Sequence, residues 1–257
     1  MLNPMRLDGN NIIVTGAGQG IGEQIARLVV ALGAKAILID VKGDKLKALS
    51  EELGSTCTEW YVGSVSDPNF VQDTVDMTVR NNGAIHGLVN NAGIVRAAMI
   101  QKMSVDSWQQ VIDVNLSGVF YCLQAVGRHM LERVEDGDMG QASIVNISSD
   151  AGRRGTIGQI NYGAAKSGVM GITMSAAREW GSKGIRVNSI CFGVIETEMT
   201  ETIRSEKFRE RIMSQVPMGR FASPQEVSQP VCFLLSQAAS YITGQHLSVN
   251  GGYTIGV

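Results

Sequence analysis

The strongest constraint in this chain is an alternation. Short, almost wholly apolar runs at residues 11–15, 36–40, 57–62, 85–90, 143–148, 185–191 and 246–249 are separated by stretches of helical periodicity at 21–32, 44–53, 68–82, 105–133, 162–180 and 224–236. The runs lack the apolar/polar alternation of half-exposed strands, which suits strands covered on both faces. A parallel crossover needs about a dozen residues and usually takes a helix. The pattern therefore predicts an α/β chain, a doubly wound parallel sheet with helices on both faces. No repeat, linker or charge block divides the chain, so one domain over residues 1–257 is expected. Residues 132–141, acidic and glycine-containing, read as a surface loop. Residues 193–220 read as a lid or binding excursion.

Composition removes several function classes. The 22 basic and 24 acidic residues leave a net charge of −2, so no basic field exists to attract nucleic acid or an anionic membrane. No segment is long and apolar enough to read as a signal or membrane span, and a cytoplasmic protein is expected. Cys57, Cys122, Cys191 and Cys232 are widely spaced, as are His86, His129 and His246. That spacing predicts no metal site and cysteines that act as small buried hydrophobes in a reducing compartment. Glycine, at 30 residues against 5 prolines, is in excess and has to be accounted for.

The densest glycine cluster follows the first apolar run: Gly16, Gly18, Gly20 and Gly22, interleaved with Ala17, Gln19 and Ile21. Between a strand and a helix, such a loop lets backbone approach a diphosphate, and the helix N-terminus beyond it favours an anion. The spacing GxxxGxG departs from GxGxxG and would arise by chance about 0.4 times in a chain this rich in glycine, so its setting carries the weight. Asp40 ends the second run, eighteen residues after Gly22. A carboxylate there accepts hydrogen bonds from adenosine ribose hydroxyls and repels a 2′-phosphate, which favours NAD(H), with NADP(H) the alternative. Gln19 and Val41 add no cation for such a phosphate. The plainer reading of Asp40 is a strand-ending surface carboxylate.

Tyr162 and Lys166 stand four apart on a helix and share a face. A nearby ammonium stabilises a phenolate, so the pair predicts a lowered tyrosine pKa and a general acid/base. Ser148 and Ser149 close the fifth run upstream, where a hydroxyl on the carboxyl rim of the sheet could bind a substrate oxygen.

Taken together, the glycine loop, Asn90-Asn91-Ala92-Gly93, Asn115, Ser149 and the Tyr162/Lys166 pair resemble the short-chain dehydrogenase/reductases of about 250 residues, in their 3-oxoacyl-(acyl-carrier-protein) reductase-like group, from Asn10 to Tyr253. The resemblance implies a Rossmann-like domain with strand order 3-2-1-4-5-6-7. It implies that Tyr162 exchanges a proton with the substrate oxygen, that Ser149 hydrogen-bonds the same oxygen, and that Lys166 binds the nicotinamide ribose. Asn115 would hold a water linking Lys166 to solvent. Cofactor contacts are expected from Gly16, Gln19, Gly20, Ile21, Gly22 and Asp40, from Asn90, Asn91, Ala92 and Gly93 on the adenosine side, and from Ile195 and Thr197 at the carboxamide. The implied substrates are alcohols, ketones or acyl thioesters, and the implied assembly is a homotetramer. A regulatory NAD(H)-binding module and an epimerase or dehydratase are the competing classes. Retention of both Tyr162 and Lys166 weighs against the first, and the glycine spacing and short chain against the second.

Three positions depart from the usual pattern. Phe192 precedes Gly193 where proline is common and could add an aromatic wall to the nicotinamide pocket, Ser64 stands where many members have aspartate against the adenine, and Asn250 replaces the commoner aspartate. Arg153 and Arg154, with Arg204, Lys207, Arg209 and Arg211 in the excursion, could meet an anionic substrate. Interleaved glutamates favour a salt-bridged helix face there instead.

Overall fold

The computed structural model describes residues 3–138 and 140–256, with the side chain of Lys207 outside the description. Strands β1 (Asn11–Thr15), β2 (Lys35–Asp40), β3 (Thr58–Val62), β4 (Gly87–Asn90), β5 (Ser143–Ser149), β6 (Arg186–Phe192) and β7 (His246–Val249) form one sheet ordered β3-β2-β1-β4-β5-β6-β7. Each neighbouring pair is parallel. Helices α1 (Gly20–Ala31), α2 (Gly43–Leu53) and α10 (Pro224–Leu235) cover one face. Helices α3 (Pro68–Asn82), α5 (Gly118–Glu135) and α7 (Ile160–Trp180) cover the other.

The two-sided cover explains why the apolar runs hide their period. In β1, Ile12 and Val14 pack into the layer of α1 and α10 while Ile13 enters the layer of α3, α5 and α7. Strand β2 divides the same way, Ala36 and Leu38 against Ile37 and Ile39. Period two thus assigns a side chain to a layer, and each large buried aliphatic contributes about 1.5–3 kcal/mol of transfer free energy. Local chemistry starts the helices: Asp67 accepts from the amides of Asn69 and Phe70 ahead of α3, and Ser223 with Glu226 forms a capping box on α10. Arg186 closes the far end of α10, donating to the carbonyls of Leu234, Leu235 and Ser236.

The stretch expected as one helix over 105–133 is interrupted. Helix α4 (Val105–Ile112) runs into a π-helical turn, Asp113–Ser117, before α5 begins. Helix α5 then continues to Glu135, so the surface loop starts later than its composition suggested, and Met139 within it lies outside the described residues. The excursion after β6 is partly ordered as α8 (Glu201–Arg204) and α9 (Glu206–Met213). The short helix α6 (Asp150–Arg154) follows β5 directly.

At the amino ends of the strands, two histidines accept backbone amides: His86 Nδ1 from Asn11 at 3.0 Å and His129 Nε2 from Ile85 at 3.1 Å. An accepting imidazole nitrogen cannot carry a proton. Burial, then the nearby Arg133 charge, lowers both pKa values, that of His86 to about 4, against the opposing charges of Asp138 and Glu132. The neutral form is the folded form, so this stability is present above pH 6.5 and is lost as pH falls toward 4. Urea unfolding should show about 2 kcal/mol less stability at pH 4.5 than at pH 7. His86→Asn, which keeps an acceptor, should remove part of that slope, and an unchanged slope would refute the account.

Candidate active site

The sheet order reverses between β1 and β4, and the crevice at their carboxyl ends is where open α/β sheets bind ligands. Thr15 closes its floor. Its hydroxyl accepts the amides of Asn91 and Ala92, each at 3.0 Å, and donates to the Val89 carbonyl at 3.3 Å. The Asn91 amide group donates to the carbonyls of Thr15 and Gly16. Gly16 turns the chain with φ +66°, and a Cβ on Gly22 would lie 2.0 Å from the Gly16 oxygen. Only a glycine at position 22 lets α1 start against the loop, leaving the amides of its first turn for an anion. Ile21 and Gln19 flank this turn, and Thr197 closes over Gly20 from the excursion.

Asp40 sits beside the loop, Oδ2 accepting from the Gly18 amide at 2.9 Å and Oδ1 from Lys42 at 3.0 Å. The Lys42 ammonium reaches the Gln19 side chain and lies 4.0 Å from Glu198. A cation is therefore present at this edge, contrary to the expectation drawn from Gln19 and Val41. The chain bends at Val41, the single residue between Asp40 and Lys42, and this returns the Lys42 ammonium to the loop.

Ser149, Tyr162 and Lys166 come together at the ends of β5 and the start of α7. Asn161 sets the helix entry: fully buried, it donates to the carbonyls of Arg96 and Ser107 and accepts the Tyr162 amide at 2.8 Å. Lys166 Nζ lies 5.7 Å from the Tyr162 ring centroid and donates to the Ile147 carbonyl at 2.6 Å. Burial lowers the Lys166 pKa to about 8. Burial also raises that of Tyr162, with hydrogen bonding to Ser149 opposing it. The lysine was expected to lower the phenol's pKa. In the structure desolvation sets the direction and only the Ser149 hydroxyl opposes it, the Lys166 ammonium being turned onto the Ile147 carbonyl.

Asn115 lies in the π-helical turn with no exposed surface, Oδ1 accepting from the Ile94 amide at 2.8 Å and Nδ2 donating to the Ile94 carbonyl at 2.9 Å. Both ends of its side chain thus hold the loop after β4, with Gly93 against it. π-Helical turns occur frequently at functional sites, and nothing in the periodicity of 105–133 marked this one. Asn90 is directed elsewhere, its side chain buried and donating to Asn146 at 2.9 Å within a chain that runs through Thr173 to the Val169 carbonyl. Thr15 and Asn161 are positioning residues that the sequence reading missed; their only signal was a polar residue at the edge of an apolar run or helix.

In the excursion, Ile195 is buried and pairs with Ala222. Thr197 caps the turn with Thr200, and Arg204 donates to the Thr197 carbonyl and to Thr200. Arg209 stacks on Phe221. The expected salt-bridged face does not form among the described residues, where Glu198 pairs with Lys42. In α9 the partners four apart, Glu206 with Glu210 and Lys207 with Arg211, carry like charges. Phe192 is packed in the core rather than forming an aromatic wall, and Ser64 bonds Ser66. Among the described residues no group of three His, Cys, Asp or Glu is placed to hold a metal, and no helix is long and apolar enough to cross a membrane.

A family model described as Enoyl-(Acyl carrier protein) reductase matches residues 16–254. The 3-oxoacyl-(acyl-carrier-protein) reductase FabG of Thermotoga maritima is 41% identical over 253 residues, 98% of this chain and 100% of that protein. The chain belongs to the short-chain dehydrogenase/reductases. Acetoacetyl-CoA reductase of Rhizobium meliloti is 41% identical over 244 residues, 93% of this chain and 96% of that one. A gluconate 5-dehydrogenase from Burkholderia cenocepacia, solved with NADP and tartrate, superposes with a TM-score of 0.92 at 32% identity, covering 99% of this chain and 98% of that one. The protein is thus an oxidoreductase of a family that binds nicotinamide cofactors, and the glycine cradle fits the diphosphate of such a group.

Gly22→Ala tests the cradle. The added methyl cannot occupy 2.0 Å from a backbone oxygen, so the loop must move. Cofactor affinity measured by NADH fluorescence should fall at least about tenfold while far-ultraviolet circular dichroism is retained; unchanged affinity would show that the diphosphate does not sit there.

Proposed function

We propose that this short-chain reductase interconverts a ketone and a secondary alcohol, with a 3-oxoacyl thioester as the leading substrate and NAD(H) as the preferred cofactor. The convergence of Tyr162, Ser149 and Lys166 at the crevice carries the oxidoreductase chemistry. The thioester reading is supported by relatives named 3-oxoacyl-(acyl-carrier-protein) reductase and acetoacetyl-CoA reductase. Nothing favours the regulatory alternative, since both Tyr162 and Lys166 are present and share one face of α7.

When bound, the nicotinamide supplies or accepts the hydride. Tyr162 gives its phenolic proton to the carbonyl oxygen during reduction and takes it back during oxidation, while Ser149 donates a hydrogen bond to that oxygen. Burial keeps the phenol protonated near neutrality, which suits reduction. Lys166 binds the ribose hydroxyls, and its ammonium stabilises the phenolate as the proton leaves. Asn115 would hold a water linking Lys166 to solvent, with its side-chain oxygen and nitrogen both already engaged by Ile94. Gly16, Gly20, Ile21 and Gly22 cradle the diphosphate, Gln19 borders it, Asn91, Ala92 and Gly93 line the adenosine side, and Ile195 with Thr197 meets the carboxamide.

Asp40 favours NAD(H) because a second anion on the ribose would face its carboxylate. Lys42 supports a second reading, NADP(H), since its ammonium could swing from Gln19 onto a 2′-phosphate; the neighbour solved with NADP is in keeping with it. Exposed apolar side chains on α5, α7 and β7, among them Phe120, Met174 and Leu247, support a homotetramer. Four free cysteines, three of them buried, support a reducing, cytoplasmic setting.

Reduction of acetoacetyl-CoA, followed at 340 nm with NADH and NADPH, tests these assignments. NADH should be preferred at least about tenfold in kcat/KM, and Asp40→Ala should erase the preference; a wild-type preference for NADPH would overturn the reading of Asp40. Tyr162→Phe should lower kcat by about 10²- to 10⁴-fold and leave NADH binding intact. The Lys166 ammonium is lost as pH rises through about 8, so kcat/KM for reduction should decline across that value. An alkaline limb absent below pH 10 would remove the ammonium from the mechanism.

A further inference from the structure

Helix α6 is five residues long, and all three of its charged side chains are tied to the C-terminal stretch. Asp150 receives the Asn250 amide on both carboxylate oxygens, at 3.1 and 2.9 Å. Arg153 donates to the Ser248 hydroxyl at 3.0 Å and the His246 carbonyl at 2.6 Å. Arg154 stacks 3.5 Å above the centre of the Tyr253 ring. Ser149, immediately before this helix, caps it by accepting the Ala151 amide at 3.2 Å. The direction of the Ser149 hydroxyl is thus set by where α6 sits, and α6 is held from the far end of the chain.

We propose that Asp150 and Asn250 are a positioning pair through which the C-terminal stretch aims Ser149 at the Tyr162 phenol. Asp150 is only 3% exposed, so its carboxylate needs donors. Asn250 supplies them from a neutral group, with its own oxygen accepting the Gly252 amide at 3.0 Å and its nitrogen also reaching the Thr254 carbonyl. The same residue abuts Gly193, where the excursion begins, since a Cβ on that glycine would lie 2.9 Å from the Asn250 Cβ. The pair therefore links the serine turn, the root of the lid and the C-terminal stretch. A carboxylate at position 250 would set two anions together in a buried site whose charged and titratable neighbours are Arg153, Arg154 and Cys191. One proton would have to be shared, and the contact would become pH-dependent. With Asp150 alone, burial raises its pKa and Asn250 opposes the rise.

The inference rests on the assignment of Ser149 to the substrate oxygen, and the test separates the two. With acetoacetyl-CoA as probe, Asn250→Asp should lower kcat by about ten- to a hundredfold at pH 8, with a smaller loss at pH 6 and NADH affinity within about twofold of wild type. Asn250→Ala should lower kcat without the added pH dependence. The exchange Asp150→Asn/Asn250→Asp, which rebuilds one carboxylate and one amide, should restore kcat to within about threefold. In a Ser149→Ala background, Asn250→Asp should add no further loss, because both act through one hydroxyl. A proportional further loss there, or a folded exchange variant that fails to recover, overturns the positioning role. Full activity of Ser149→Ala overturns the assignment of Ser149 beneath it. Should Asn250→Asp fail to fold, Asn250→Ala alone and in the Ser149→Ala background gives the same decision.

Discussion

The hydroxyl of Thr15, at the end of β1, accepts two amides from the loop after β4 and donates to a carbonyl of β4 itself. Parallel strands share no turns, so their carboxyl ends are joined only through what their loops can exchange. At the point where the strand order reverses, two crossovers leave in opposite directions and the loops part. Thr15 and Asn91 bridge that parting. The glycine loop, the start of α1 and the segment that carries Gly93 and Ile94 then share one rigid reference. Asn115 extends it by holding Ile94, so the fourth crossover is registered on the same frame.

Charges inside the site are held mostly by neutral partners. Lys166 points at a backbone carbonyl and Asp150 at an asparagine, and Asn161 anchors Tyr162 through carbonyls. A buried carboxylate partner would fix an ammonium as a strong ion pair and pin its charge. Carbonyls and amides leave Lys166 titratable, at about 8, near the range where proton transfer is useful. The same economy shows at the opposite rim, where Arg186 spends its donors on the carbonyls that end α10, and where His86 and His129 stay neutral because each must accept an amide.

Much of the fold was legible because burial on both faces leaves an unmistakable alternation of apolar runs and periodic helices. The strand order follows from family likeness and is what the structure has. The π-helical turn at Asp113–Ser117 was not legible: one wider turn within a continuous helical run leaves the apolar pattern on either side intact. The cation of Lys42 was not legible from Gln19 and Val41, because its backbone lies past the strand end and only the bend after Asp40 brings its ammonium to Gln19. Phe192 was read as a wall of the pocket because proline is common there, yet the pleat of β6 turns it into the core.

By itself the sequence determined the layers, the glycine cradle and the spacing of Tyr162 on Lys166, because these depend on residues close together in the chain and on periods of 2 and 3.6. Tertiary structure alone decided the protonation balance and the aim of the serine. The first depends on how fully water is removed from Tyr162 and Lys166, which no local spacing encodes. The second depends on a contact between residues 100 positions apart, Asp150 and Asn250, whose meeting requires the whole parallel sheet to be in register.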